Sequence, residues 1–298
     1  MLIVSDFSQV EARANAWAAG DVDALEVFKR FDACDKINGD PYRVMATRIY
    51  GGSPADYSKS SPERKIGKIC ELAAGYGQGA GKACPRSAKY PHGFNGFKGF
   101  SMAAGADWGA LAPLTPASVI AAWRTLHEPI VDFWRETQDA ALEAAAGGSA
   151  WTGPFEWTNV NGIVICRLPS GRCMAYHGMV ITESTGEDAW KGPSLSYLGR
   201  TARGPAISRV YGGLLVENMI QAMCRDLLAR AWTTAEAEGL RPVLTVHDEL
   251  VCDPPGCEKE SDAKEALALL EHIMNDVPGW AAGMPIASEG FVSERYTK

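Results

Sequence analysis

The feature that most constrains this chain is a pair of strand-borne acidic motifs at its opposite ends. Near the start, Leu2-Ile3-Val4 reads as an apolar strand and runs into Asp6-Phe7-Ser8-Gln9-Val10-Glu11-Ala12-Arg13. Near the end, Leu244-Thr245-Val246 and Leu250-Val251 flank His247-Asp248-Glu249, a strand–turn–strand pattern. An Asp at a strand tip and an Asp in a hairpin bend can meet around metal ions. Between the two motifs lies Arg64-x3-Lys68-x7-Tyr76-Gly77. Each step of four advances roughly 40° around a helix, so Arg64, Lys68, Leu72 and Tyr76 fall within roughly 120° on one face. Arg grips phosphate oxygens in pairs, and Lys acts as a compact point charge. An amphipathic helix with snorkelling cations has the same spacing, so the helix alone decides little. Two carboxylates for Mg²⁺ and two cations for a triphosphate together compose a nucleotidyl-transfer site.

Composition bounds the alternatives. The chain's 298 residues suffice for one large domain or two ordinary ones. No apolar run approaches the roughly 18 residues of a membrane span, and the N-terminus lacks the basic region and apolar core of a signal peptide. The eight cysteines form no CxxC pair, which argues against zinc and fits a reduced, cytoplasmic setting. A net charge of -7 argues weakly against a nucleic-acid binder, yet residues 59–98 carry eight Lys/Arg against Glu63 and Glu71. Such a local basic segment suits an anionic ligand, although a solvated helix face would look similar. Gly75–Lys82 fails as a phosphate loop, because no Gly stands five residues before Gly81 and Ala83 replaces Ser/Thr.

Periodicity and capping predict helices over about 8–19, 22–33, 41–50 and 62–75. Asp40-Pro41 and Ser61-Pro62 mark two of the starts. Residues 90–113, rich in Gly and aromatics, read as a loop or small insertion. Thr115-Pro116 and Glu128-Pro129 open two more helices, the second ending at Gly147-Gly148. Strands are expected over 162–168 and 172–181, then a helix over 213–238, the acidic strand pair, a helix over 261–275 and a strand near 285–292.

In this order, the three motifs resemble the polymerase domain of family A DNA polymerases, the bacterial DNA polymerase I type, with phage and prophage members most alike. The resemblance implies an α+β polymerase right-hand fold, with helical fingers and an antiparallel-sheet palm. The thumb and proofreading exonuclease would be absent from this chain. It divides the chain into palm (1–20), fingers (21–148) and the rest of the palm (149–298). Asp6, the Phe7 carbonyl and Asp248 would hold two Mg²⁺ ions, with Mn²⁺ as a substitute, and Glu249 would support them. Glu11 would gate against a ribose 2′-hydroxyl, beside Gln9 on the nucleotide side. Arg64, Lys68, Leu72 and Tyr76 would bind the dNTP, and Gln221, His247, Gly77 and Arg13 would contact primer–template DNA.

This chain departs from the family pattern at Phe7, where Tyr is common, and at Leu72, where an aromatic is common. Glu71 and Ala73 also replace part of an Asn-Phe-Gly run. The family's thumb and upstream palm strands precede the first motif, and here the chain opens five residues before Asp6. Three explanations fit: a split hand with a second polypeptide supplying the remainder, which is favoured, a truncated piece of a longer enzyme, or a minimal thumbless polymerase. Part of the palm sheet would be missing, leaving an exposed edge next to the catalytic strand. Three other readings stay open: an RNA polymerase-like nucleotidyl transferase, which Glu11 opposes; a DNA- or partner-binding subunit inactive alone; and a metal-dependent nuclease.

Overall fold

The computed structural model of the chain describes residues 1–183, 192–201 and 204–296. The elements run β1 (Leu2–Phe7), α1 (Val10–Ala19), α2 (Val22–Asp32), α3 (Pro41–Tyr50), α4 (Pro62–Ala74), α5 (Gly96–Ala103), α6 (Pro116–Leu126) and α7 (Glu128–Ala145). There follow β2 (Ser149–Thr152), β3 (Phe155–Val160), β4 (Ile163–Arg167), β5 (Cys173–Tyr176), β6 (Val180–Thr182), β7 (Ser194–Thr201) and β8 (Gly204–Val210). The chain closes with α8 (Gly212–Ala237), β9 (Pro242–Val246), β10 (Glu249–Cys252), α9 (Glu260–Asn275) and β11 (Ser288–Ser293). This is a mixed α and β fold in which the paired strands are antiparallel.

Two compact units divide the chain. The first joins residues 1–14 to 220–298. Its sheet has the order β11-β1-β10-β9, so the opening strand is held between two strands from the far end of the sequence. Ile3 and Val4 on β1 and Leu250 and Val251 on β10 are buried, as expected of central strands whose apolar side chains fill both faces. β1 is therefore interior, and among the described residues the sheet's edges are β9 and β11, the latter adjoining β1. Val243 and Leu244 on β9 and Phe291 on β11 are exposed.

The second unit spans residues 15–219. Its helices start where local capping chemistry dictates. The Asp40 side chain accepts from the Tyr42 and Arg43 amides, and Ser61 from the Arg64 amide, each followed by Pro in the first turn. α3 and α4 cross at Gly67, where a Cβ would stand 2.1 Å from the Tyr42 carbonyl oxygen. α7 buries Ile130, Phe133, Trp134, Thr137, Ala140, Ala141 and Ala144 along one stripe.

The expected division at residue 148 differs from the one found, since residues 149–219 group with the helical segment. Packing against α7 explains this. The Phe133 and Phe155 rings lie 6.2 Å apart, Asn159 donates to the Ala144 carbonyl, and the Thr137 and Thr152 hydroxyls are 3.3 Å apart. The strand expected over 172–181 is two strands in different sheets, with Gly178 at a φ of 57° between them. Strands β2, β3, β7 and β8 were not anticipated, and α5 lies within the segment read as a loop.

Candidate functional site

In the first unit, backbone pairing sets the acidic residues. Asp6 on β1 stands opposite Glu249 on β10, and the Phe7 amide donates to the Asp248 carbonyl at 3.4 Å. Glu249 pairs with Val246, so His247-Asp248 is a two-residue hairpin loop, and His247 takes the positive φ (57°) such tight loops require. The two motifs at opposite ends of the sequence are thus brought together on neighbouring strands. Asp6 is exposed, Asp248 is half-buried and Glu249 is buried.

Glu249 is not left unsatisfied. The Tyr296 hydroxyl donates to its Oε1 at 2.8 Å, and hydrogen bonding to Glu249, partial burial and the charges of Glu249 and Asp6 hold that phenol above its ordinary range. Sequence reasoning missed Tyr296, which has no motif around it. The Cys224 thiol on α8 is pushed well up by burial and by the charges of Glu11, Asp248 and Asp226, so Glu11 and Asp248 share one negative field. Gln9 follows β1 with a φ of 54°. Gln221 and His247 are exposed, whereas Arg13 is 1% exposed and is held inside the protein.

Among the described residues no group of three or more His, Cys, Asp or Glu side chains forms a metal cage. The oxygen donors around Asp6 and Asp248 nonetheless suit a hard cation such as Mg²⁺, which often takes only one or two carboxylates along with substrate phosphates.

In the second unit, α4 carries the predicted cations. Arg64 is already engaged: its Nε donates to Asp40 Oδ2 at 2.7 Å, and its guanidinium lies 5.1 Å from the centre of the Tyr42 ring. Lys68 is exposed, with its ammonium 5.9 Å from the same ring centre. Leu72 is 58% exposed on this helix. The end of α4 is fixed through the Gly75 carbonyl, which accepts from Trp134 Nε1 at 3.0 Å and Asn15 Nδ2 at 3.1 Å. Beyond it, the Tyr76 carbonyl accepts from the Tyr211 hydroxyl at 3.4 Å. Gly77, at a φ of 76°, lies against the Tyr211 ring and lines a cleft of about 540 Å³ shared with Arg124, Trp134, Gln138 and Gly213.

No family model matches the chain. A DNA polymerase of Bacillus phage SP02 is 34% identical over 300 residues, an alignment that covers 99% of this chain and 41% of that polymerase. The chain therefore spans less than half the length of this relative. The polymerase domain of Pol1 from M. smegmatis, solved with a DNA primer-template and dNTP, matches with a TM-score of 0.55 at 15% identity, over 97% of this chain and 38% of that one. At such low identity the structural match speaks to fold alone. The chain is thus similar, along nearly all of its length, to part of a phage DNA polymerase, and it shares the fold of a DNA polymerase's polymerase domain.

Proposed function

We propose that this chain carries the nucleotidyl-transfer residues of a template-directed DNA polymerase, acting on primer–template DNA and dNTPs. The observation that carries the reading is the register of Asp6 against Glu249 on the two central strands, with Asp248 in the adjoining turn. Asp6, the Phe7 carbonyl and Asp248 would hold Mg²⁺, with Mn²⁺ as a substitute. Such ions would supply activation of the primer 3′-hydroxyl and positive charge against the departing pyrophosphate. Glu249, fixed by Tyr296, keeps the Asp6 strand end negative. Glu11 and Gln9 discriminate the sugar. Arg64 and Lys68 bind the triphosphate, Leu72 and Tyr76 flank the base, and Gln221, His247 and Gly77 touch DNA. Arg13, being buried, supports these groups from within.

In this reading the first unit is the working part of a palm and the helices of the second are fingers. The remaining parts of the hand correspond to the length of the phage relative outside the shared region, and the setting is the cytoplasm of a bacterium or phage-infected cell.

Primer extension with Mg²⁺, four dNTPs and a primed template tests the reading. The chain is assayed alone and with the segment its phage relative carries outside the shared region. Extension should fall roughly a thousandfold or more in Asp6→Ala and Asp248→Ala, since each removes a ligand of the charge-stabilising ions. Retained extension in either variant removes the metal assignment. Incorporation of NTPs as readily as dNTPs removes the role of Glu11. A folded chain that binds primer but never extends it favours the inactive-subunit reading.

A further inference from the structure

Glu71 stood out in the sequence only as a departure, a carboxylate on α4 where the resembling family has an amide. Its side chain is 11% exposed and faces His127, at the junction of α6 and α7, which is equally enclosed. His127 Nε2 lies 3.3 Å from Glu71 Oε1, and His127 Nδ1 lies 2.9 Å from Asp21 Oδ2. Asp21 is 2% exposed, and its other oxygen caps α2 by accepting from the Ala24 amide at 3.0 Å. We propose that His127 is a positioning residue for nucleotide handling: its ring ties Glu71 on α4 to Asp21 at the head of α2, and so fixes the setting of the helix that bears Arg64 and Lys68, given the reading of α4 as the triphosphate-binding helix.

The protonation of the ring follows from geometry. A neutral imidazole has one N–H, so it can satisfy only one of two carboxylates; both contacts are hydrogen bonds only when each nitrogen carries a proton. A neutral ring would leave two enclosed carboxylates facing each other with no cation between them. Burial alone would lower the His127 pKa, but the Glu71 charge, the hydrogen bonds to Asp21 and Glu71, and the Asp21 charge outweigh it and raise it to about 10. The third side of the ring is aromatic: Trp123 lies 4.7 Å away, centre to centre, and itself stacks on Trp134. Trp134 also donates to the Gly75 carbonyl at the end of α4. The helix is thus held at its end by neutral hydrogen bonds and at Glu71 by an ionic one.

The test is equilibrium binding of a fluorescent deoxynucleoside triphosphate with Mg²⁺, followed by anisotropy, beside steady-state extension. His127→Gln keeps a side chain that can hydrogen-bond but removes the charge. It should weaken triphosphate binding roughly ten- to hundredfold, as misplaced binding groups do, and raise KM for dNTP while kcat and primer affinity stay within about twofold. Adding Glu71→Gln to His127→Gln removes the unbalanced carboxylate and should restore at least half of the lost affinity on a logarithmic scale, a rescue that a merely space-filling role would not give. If His127→Gln fails to fold, Glu71→Ala alone cuts the tie by removing the acceptor while leaving the His127–Asp21 pair, and it should weaken triphosphate binding to a similar degree. Unchanged binding in a folded single variant, or no rescue in the double variant, overturns the positioning role while α4 keeps its function. A wild-type chain that binds no triphosphate overturns the reading of α4 itself, and the positioning role with it.

Discussion

In the first unit the candidate catalytic carboxylates stand on strands whose register is fixed by backbone pairing. In the second, a candidate phosphate ligand, Arg64, stands on a helix where it already holds an acidic partner. Asp6 and Glu249 are opposed whether or not an ion is present, because β1 is clasped between β10 and β11. Arg64 holds Asp40 through its Nε, so that carboxylate competes with phosphate for the guanidinium charge. One region is thus preset by the main chain, and the other is poised by side-chain contacts that a ligand can replace. The difference suits the two tasks. Metal ligands must not drift by even an ångström, whereas a group that grips and releases a nucleotide in every cycle needs partners of comparable strength on both sides.

The largest effect that could break this contrast lies at the α3–α4 crossing. In Gly67→Ala the new methyl would stand 2.1 Å from the Tyr42 carbonyl oxygen and 3.1 Å from the Ala46 amide nitrogen. Both neighbours are backbone, so the helices must separate, at a cost of roughly 3 kcal/mol. Hydrogen exchange should show faster exchange of α3 and α4 amides while β1 and β10 amides keep their protection. Equal loss in both places would mean that the two regions open as one cooperative body, and the contrast between them would fail.

How far sequence could anticipate these regions follows from how local each signal is. The starts of α3 and α4 were legible because Asp40-Pro41 and Ser61-Pro62 cap within a single turn. The acidic hairpin was legible because strand, two-residue turn and strand are contiguous. The second oxygen of Asp40 was not: nothing in the order of residues says that a helix cap also holds an Arg 24 positions later. The His127–Asp21–Glu71 group was hidden for the same reason, with partners 106 and 56 residues away. Residues 149–210 were only half read. Their strands pair with each other, and β2, β3 and β4 also pack on α7, so the pattern along any one of them is short. α5 holds despite two glycines in eight residues, because Gly81 and Gly99 let neighbouring backbone pack within reach of each other; that is tertiary packing overriding local propensity.

A smaller effect sharpens the contrast through pH. The His127 pKa in the folded chain lies at about 10, above its ordinary 6.5, through the opposed Asp21 and Glu71 carboxylates, with Trp123 the uncharged neighbour. A raised folded-state pKa stabilises fully below the unfolded value, and that stabilisation is lost as pH climbs from about 6.5 through about 10. Thermal unfolding should therefore show a falling melting temperature between pH 7 and pH 10. The fall should be markedly shallower in His127→Gln, which has no such proton to lose. Identical slopes in the two proteins would mean that the loss arises elsewhere.

The smallest effect bears on the competition between Asp40 and phosphate for Arg64. In Asp40→Asn the amide oxygen can still accept from the Tyr42 and Arg43 amides, so the cap of α3 persists. The charge that holds Arg64 is gone, and the Asn amide hydrogens face the guanidinium instead. The Arg64 charge then meets phosphate without a competing carboxylate, and triphosphate affinity should rise a few-fold, about 1 kcal/mol. Folding stability should fall by a similar amount, since Arg43 also loses its 3.6 Å contact with the same oxygen. If stability falls while triphosphate affinity stays fixed, Arg64 is a structural partner of Asp40 and the exposed Lys68 carries the phosphate contact on that face. The second unit would then be as preset at Arg64 as the first is at Asp6, and the mobile element would have to be sought in the Lys68 side chain alone.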